Sequence, residues 1–126
     1  MLLMYKYRLY PSRKQQKELI RQFGISKGIY NELLALSIDS YKFGNISLNK
    51  FDYNNYLTGK ASEIHSQVKQ NISDRVSKAF QNFFRRVKNP KCKNKGFPRF
   101  KSRINSITYP QSGFKIISDK RLKVSK

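Results

Sequence analysis

Nine Lys and Arg side chains crowd the twenty-one residues FFRRVKNPKCKNKGFPRFKSR, 83–103, and no acid stands among them. They are Arg85, Arg86, Lys88, Lys91, Lys93, Lys95, Arg99, Lys101 and Arg103. Cations at this density suit a polyanion, because each phosphate they neutralise frees condensed counterions. Arg99 is the best single candidate. It lies between Phe97-Pro98 and Phe100, and a rigid neighbourhood reduces the entropy lost when a guanidinium clamps a phosphate. Arg85 and Arg86 have a second reading, since cations at a helix end also favour its dipole. Phe97 and Phe100 can stack on bases, but anchoring the loop to a core is the favoured role.

The surrounding composition decides whether this is a tail or a shaped surface. Of 126 residues, 34 are Leu, Ile, Val or Phe, enough for one modest core. The net charge is +20, a self-repulsion that a nucleic acid would relieve. From Arg75 to Lys115 there are twelve basic residues and no Asp or Glu, whereas a merely solvated face mixes the signs. Cys92 is the single cysteine, which excludes an internal disulfide or C-x-x-C zinc site and fits a reduced, cytoplasmic setting. No apolar run is long enough to span a membrane and no leader pattern is present, so no membrane partner is expected. The Asn-Ile-Ser triplets at 45–47 and 71–73 are then chance glycosylation matches.

Several elements must position the basic residues. Residues 3–10 alternate apolar and polar, which predicts a first strand stopped by Pro11. Ser12 and Gln15 form a capping box opening a helix that Gly24 is expected to end. Ser26 is expected to cap a second helix bearing Ile29, Tyr30, Leu33, Leu34, Ser37, Ile38 and Tyr41 at helical spacing. Such a pair has helix-turn-helix form, although any αα-hairpin gives the same pattern and this second helix is poor in base-reading side chains. A short helix fits between Leu48 and Leu57.

Val68, Ile72, Val76, Ala79, Phe80, Phe83 and Val87 then form one stripe, the core face of a long helix capped by Ser66 or Ser62 and ended by Asn89-Pro90. His65 beside it is expected to cap or to lie on the surface. Residues 89–103 read as a loop fixed by Gly96 and Pro98. Beyond it INSITYP, GFKIIS and RLKVS read as short strands, the last without a visible partner.

Four stretches in order, YKYRLYPSRKQQKELIRQFGISKGIYNELL, SKAFQNFFRRVK, GFPRFKS and ITYP, resemble the N-terminal part of the TnpB (OrfB) family of transposon-associated RNA-guided DNA endonucleases. The resemblance implies an α+β fold, in which a helical recognition lobe (a helix-turn-helix-like pair plus one long helix) is inserted in a wedge-type β-barrel. The corresponding segments are a first barrel strand at 1–11, the lobe at 12–88, the basic loop at 89–103 and further barrel strands at 104–126. The barrel is incomplete within this chain. The resemblance also implies guide RNA and duplex DNA as partners, with a short transposon-adjacent motif read in the duplex.

Ser66, Gln70 and Asn71 at the start of the long helix, with Thr108, are the candidates for base reading. Gln and Asn can pair bidentately with adenine, and Gln70 and Thr108 are carried over from the family by position. Solvent exposure alone is an equal reading of Gln70.

Cutting in this family uses a RuvC-like domain with metal-bound carboxylates and a zinc-binding segment. Two-metal hydrolysis needs converging carboxylates, and Glu18, Glu32, Asp39, Asp52, Glu63, Asp74 and Asp119 are scattered singly. The expectation is a non-enzymatic chain with no cofactor, the divalent metal and zinc belonging to a C-terminal region not in this sequence. Read as complete, the chain is a truncated reading frame or a stand-alone binding module. An independent helix-turn-helix module or repressor, a nuclease continuing beyond this sequence, and a ribosomal-type RNA-binding protein remain alternatives. Composition leaves the oligomeric state open.

Overall fold

A computed structural model describes residues 3–60, 64–91, 93, 96–110, 114–118 and 121–124. Within them the chain is mixed: α1 (Arg13–Gly44), α2 (Lys50–Leu57), α3 (Ser66–Lys88), β1 (Phe114–Ser118) and β2 (Arg121–Val124).

α1 opens as expected. The Ser12 hydroxyl accepts from the Gln15 amide at 3.3 Å, and the Gln15 side chain accepts from the Ser12 amide at 2.8 Å. It does not stop at Gly24. The helix runs 32 residues without interruption to Asn45, whose left-handed φ of 54° lets the 45 and 46 amides reach back to Tyr41 and Ser40. Glycine ends a helix by taking a positive φ, and Gly24 does not take one. Ser26, expected as a cap, is instead fully buried on the face that also carries Gln22, Ile29 and Leu33. The two predicted helices are therefore one, and burial of that face outweighs the roughly 1 kcal/mol that a mid-helix glycine costs.

Gly24 offers a direct check. A Cβ built there meets nothing within 4 Å, so Gly24→Ala should raise stability by about 0.5–1 kcal/mol in urea unfolding. Destabilisation would mean that residue 24 turns the chain in solution.

α2 is opened by a second reciprocal cap between Asn49 and Asp52. α3 is capped by His65, whose Nδ1 accepts from the Gln67 amide at 3.1 Å. Ser66 is thus the first helical residue rather than the cap, and Ser62 lies outside the described residues. Most of the predicted stripe packs as expected: Val68, Ile72, Val76, Phe80 and Phe83 meet Leu33 and Leu34 of α1 and Tyr53 and Leu57 of α2, with Ile64 and Ile104 joining them, whereas Ala79 is half-buried and outside this core. Val87, at the stripe's end, is partly exposed.

A polar pair lies within the core. Ser37 Oγ donates to the Leu33 carbonyl at 2.9 Å and lies 2.7 Å from the Tyr53 hydroxyl. With the serine proton spent on the carbonyl, the tyrosine hydroxyl is the donor between them. Burial pushes Tyr53 above its ordinary value, Ser37 pulls it down by less, and Asp52 adds to the rise. Burial also raises Tyr30 and Tyr109.

The unfolded chain therefore releases these protons at a lower pH than the folded one. Stability is full below pH about 10 and falls as pH rises from there toward the folded values. Urea midpoints measured from pH 8 to 11 should decline only at the alkaline end, less steeply for Tyr53→Phe. A flat profile would show that the phenols keep their ordinary values.

The β-structure departs from expectation. Residues 3–10 pair with nothing as a strand: they are extended and exposed, with Tyr7 79% and Tyr10 84% accessible. Their alternation is real, but a strand needs a neighbouring strand, and β1 and β2 pair with each other. The last strand, expected to lack a partner, finds one in this chain: β2 pairs with β1 in an antiparallel register of Phe114 with Val124 and Ile116 with Leu122. Residues 104–109 are not a strand either; they form an extended strap whose Ile104, Ile107 and Tyr109 pack on the helical core. A two-stranded sheet is present where barrel strands were expected.

Candidate nucleic-acid interface

The last turn of α3 carries Arg85, Arg86 and Lys88. After Lys88 the chain reverses, and residues 96–109 run back along α3 in the opposite direction. Side chains from α1 and α3 fix that course. Arg86 Nη2 donates to the Gly96 carbonyl at 3.2 Å. Phe97 stacks on Phe83 with centroids 4.8 Å apart and meets the Tyr41 ring edgewise. Arg75 donates to the Ser106 carbonyl, the Ser106 hydroxyl and the Thr108 hydroxyl at 3.2–3.3 Å. Tyr109 packs against the capping His65 at 5.6 Å.

Asn31 ties the strap to α1. Its amide donates to the Lys101 carbonyl and accepts from the Lys101 amide, both at 2.9 Å, so one side chain satisfies a peptide unit as a neighbouring strand would. Lys101 Nζ then sits 5.0 Å over the Tyr30 ring. The basic segment is therefore a fastened surface, with Phe97 as its apolar anchor. Phe100, expected to share that role, is 57% exposed and stays outside the core.

Arg85, Lys88, Lys91, Lys93, Arg99, Lys101 and Arg103 are exposed or half-exposed along this surface, and Arg86 reaches under Gly96. Lys95 and Cys92 lie outside the described residues. Arg86, Gly96, Phe97, Pro98 and Arg99, with Ala79 and Asn82 of α3, line a groove of about 480 Å³.

The base-reading candidates divide. Ser66 and Gln70 come together in a shallow pocket of about 230 Å³ with Asn54, Leu57, Thr58 and Lys69. Asn71 is half-buried, its Oδ1 enclosed without a hydrogen-bond partner, and it does not line that pocket. Thr108 lies beside the first half of α3, held by Arg75.

Arg75 and Asn31 were not legible as functional residues. Arg75 begins the acid-free run, yet its partners lie 31 and 33 residues away, and Asn31 is separated from Lys101 by 70. Burial lowers Arg75 from its ordinary value, with Tyr30 partly offsetting this, and its guanidinium meets neutral oxygens rather than a carboxylate. It acts as a clamp on the strap.

Among the described residues no group of three His, Cys, Asp or Glu is placed to hold a metal ion. No helix among them is long and apolar enough to cross a membrane.

Residues 1–45 match the family model of a helix-turn-helix domain. The model is that of OrfB of IS605, so the TnpB/OrfB transposase resemblance is supported over this segment. The matched residues take in the exposed segment 3–10, the Ser12 capping box and α1, which here contains no turn. No curated protein matches the chain.

Proposed function

We propose that this chain is the nucleic-acid-binding N-terminal part of a TnpB-like RNA-guided DNA endonuclease. Guide RNA lies along the end of α3 and the basic strap, while Ser66 and Gln70 approach a short transposon-adjacent motif in duplex DNA. In this reading residues 1–11 and 104–126 contribute to an incomplete wedge-type barrel. DNA cleavage, with its divalent metal and zinc, belongs to a C-terminal region outside this sequence.

The observation that carries the proposal is the acid-free strap fastened across α1 and α3 by Asn31, Arg75 and Phe97. Cations held on a fixed backbone lose less entropy on meeting phosphates than cations on a free tail. A titration at two salt concentrations against transposon-end RNA, an unrelated structured RNA and duplex DNA tests it. Tighter binding of transposon-end RNA that persists at the higher salt supports a shaped guide-binding surface. Equal and steeply salt-sensitive binding to all three would leave only nonspecific charge.

Gln70→Ala should weaken one duplex sequence by about 1–3 kcal/mol relative to others if its amide reads a base. Equal losses across sequences would remove Gln70 from that role.

An independent helix-turn-helix repressor is the second reading, favoured by the description of the matched family. It requires a dimer on half-sites about one helical turn apart. The uninterrupted α1 supports it poorly.

A further inference from the structure

The groove between α3 and the strap differs in kind from the row of cations beside it. Its size, about 480 Å³, falls among sites that hold a small molecule or one unit of a polymer. Its lining is divided by chemistry: Ala79, Phe97 and Pro98 supply apolar surface, Asn82 an amide, Arg86 and Arg99 guanidinium groups. The Phe97 ring is braced by its stack on Phe83 and is still 37% exposed. Arg86 spends one N–H on the Gly96 carbonyl, and a guanidinium has five donors, so others remain for an anion.

A phosphate alone makes no use of the apolar part. A base inside a duplex is stacked on both faces and cannot enter. An unpaired nucleotide offers a flat apolar face, a hydrogen-bonding edge and a phosphate together, which are the features this lining complements.

Resting on the nucleic-acid reading above, we infer that this groove seats a single unpaired, unstacked nucleotide of a bound strand. The base lies against Phe97, Pro98 and Ala79, Asn82 meets its edge, and Arg86 and Arg99 hold the adjoining phosphate. The basic strap thereby distinguishes strands with an extruded base from continuous duplex, a selectivity that charge alone does not supply.

The test uses the full chain and three RNA hairpins at one salt concentration: one with a single-nucleotide bulge, the same hairpin fully paired, and the same bulge made abasic. The bulged hairpin should bind about tenfold more tightly than either of the others. Ala79→Leu, which fills the groove without disturbing helix propensity, and Asn82→Ala should each bring the bulged-to-paired affinity ratio toward one, with unchanged circular dichroism. A ratio near one in the parent chain, equal binding of the bulged and abasic hairpins, or a ratio that survives Ala79→Leu would overturn the seat. In those cases strong binding of all hairpins leaves the broader nucleic-acid reading standing. Loss of affinity for every hairpin overturns both.

Discussion

Replacing Lys91, Lys93, Lys95 and Arg99 together by Ala is expected to lower the slope of log affinity against log salt by about 3, close to one unit for each phosphate that no longer meets a cation. The effect should appear for RNA and duplex DNA alike, since phosphates carry no sequence information. Lys91, Lys93 and Arg99 are exposed and belong to no part of the core, so stability should hold while affinity falls. Binding isotherms across a salt series would check both halves of the prediction. An unchanged slope would mean that these cations face solvent in the complex and that the phosphates lie elsewhere, with Lys14, Lys17 and Arg21 on α1 as the next places to look.

The second large effect concerns the scaffold. Leu33 is fully buried where the three helices meet. Leu33→Ala should cost about 3 kcal/mol, the transfer free energy of the deleted methyl groups plus the cavity left behind. That is a large fraction of the roughly 5–15 kcal/mol typical of a folded domain, so the urea midpoint should drop sharply with little change in slope. Ile20→Ala is the matched control: it lies on the same helix but is 67% exposed, and should move stability by less than about 0.5 kcal/mol. Similar losses for the two variants would mean that α1 does not pack through the Leu33 face.

These expectations show which parts of the molecule are written locally. The Ser12 capping box, the short second helix and the apolar stripe from Val68 to Phe83 are legible because each signal lies within a few residues of the structure it produces. Gly24 misled for the complementary reason. A glycine permits a stop but does not require one, and whether α1 continues depends on burial of Ser26 and Leu33 against residues far along the chain.

The same limit governs the strands. Residues 3–10 alternate as strands do and residues 104–109 are rich in strand formers, but strandhood is decided by a partner, and the strap finds its hydrogen bonds in the side chains of Asn31 and Arg75. The density of cations on the strap was visible in the sequence. So was Phe97 as an anchor; the hydrogen bonds that fasten the strap were not, because Asn31, Arg75 and Arg86 come from helices that look ordinary in sequence.

Among the residues whose side chains are described, the helical core includes none from 3–10 and none of Phe114, Leu122 and Val124 in the β1–β2 hairpin. Fluctuations of those two segments therefore need not pass through the opening of α1, α2 and α3. Amide exchange should separate into two tiers, with slow protons in the buried turns of α1 and α3 and fast ones in the hairpin. In such a molecule the terminal segments can vary or rearrange at small cost to the helices, which makes the three-helix unit with its strap an interchangeable cassette.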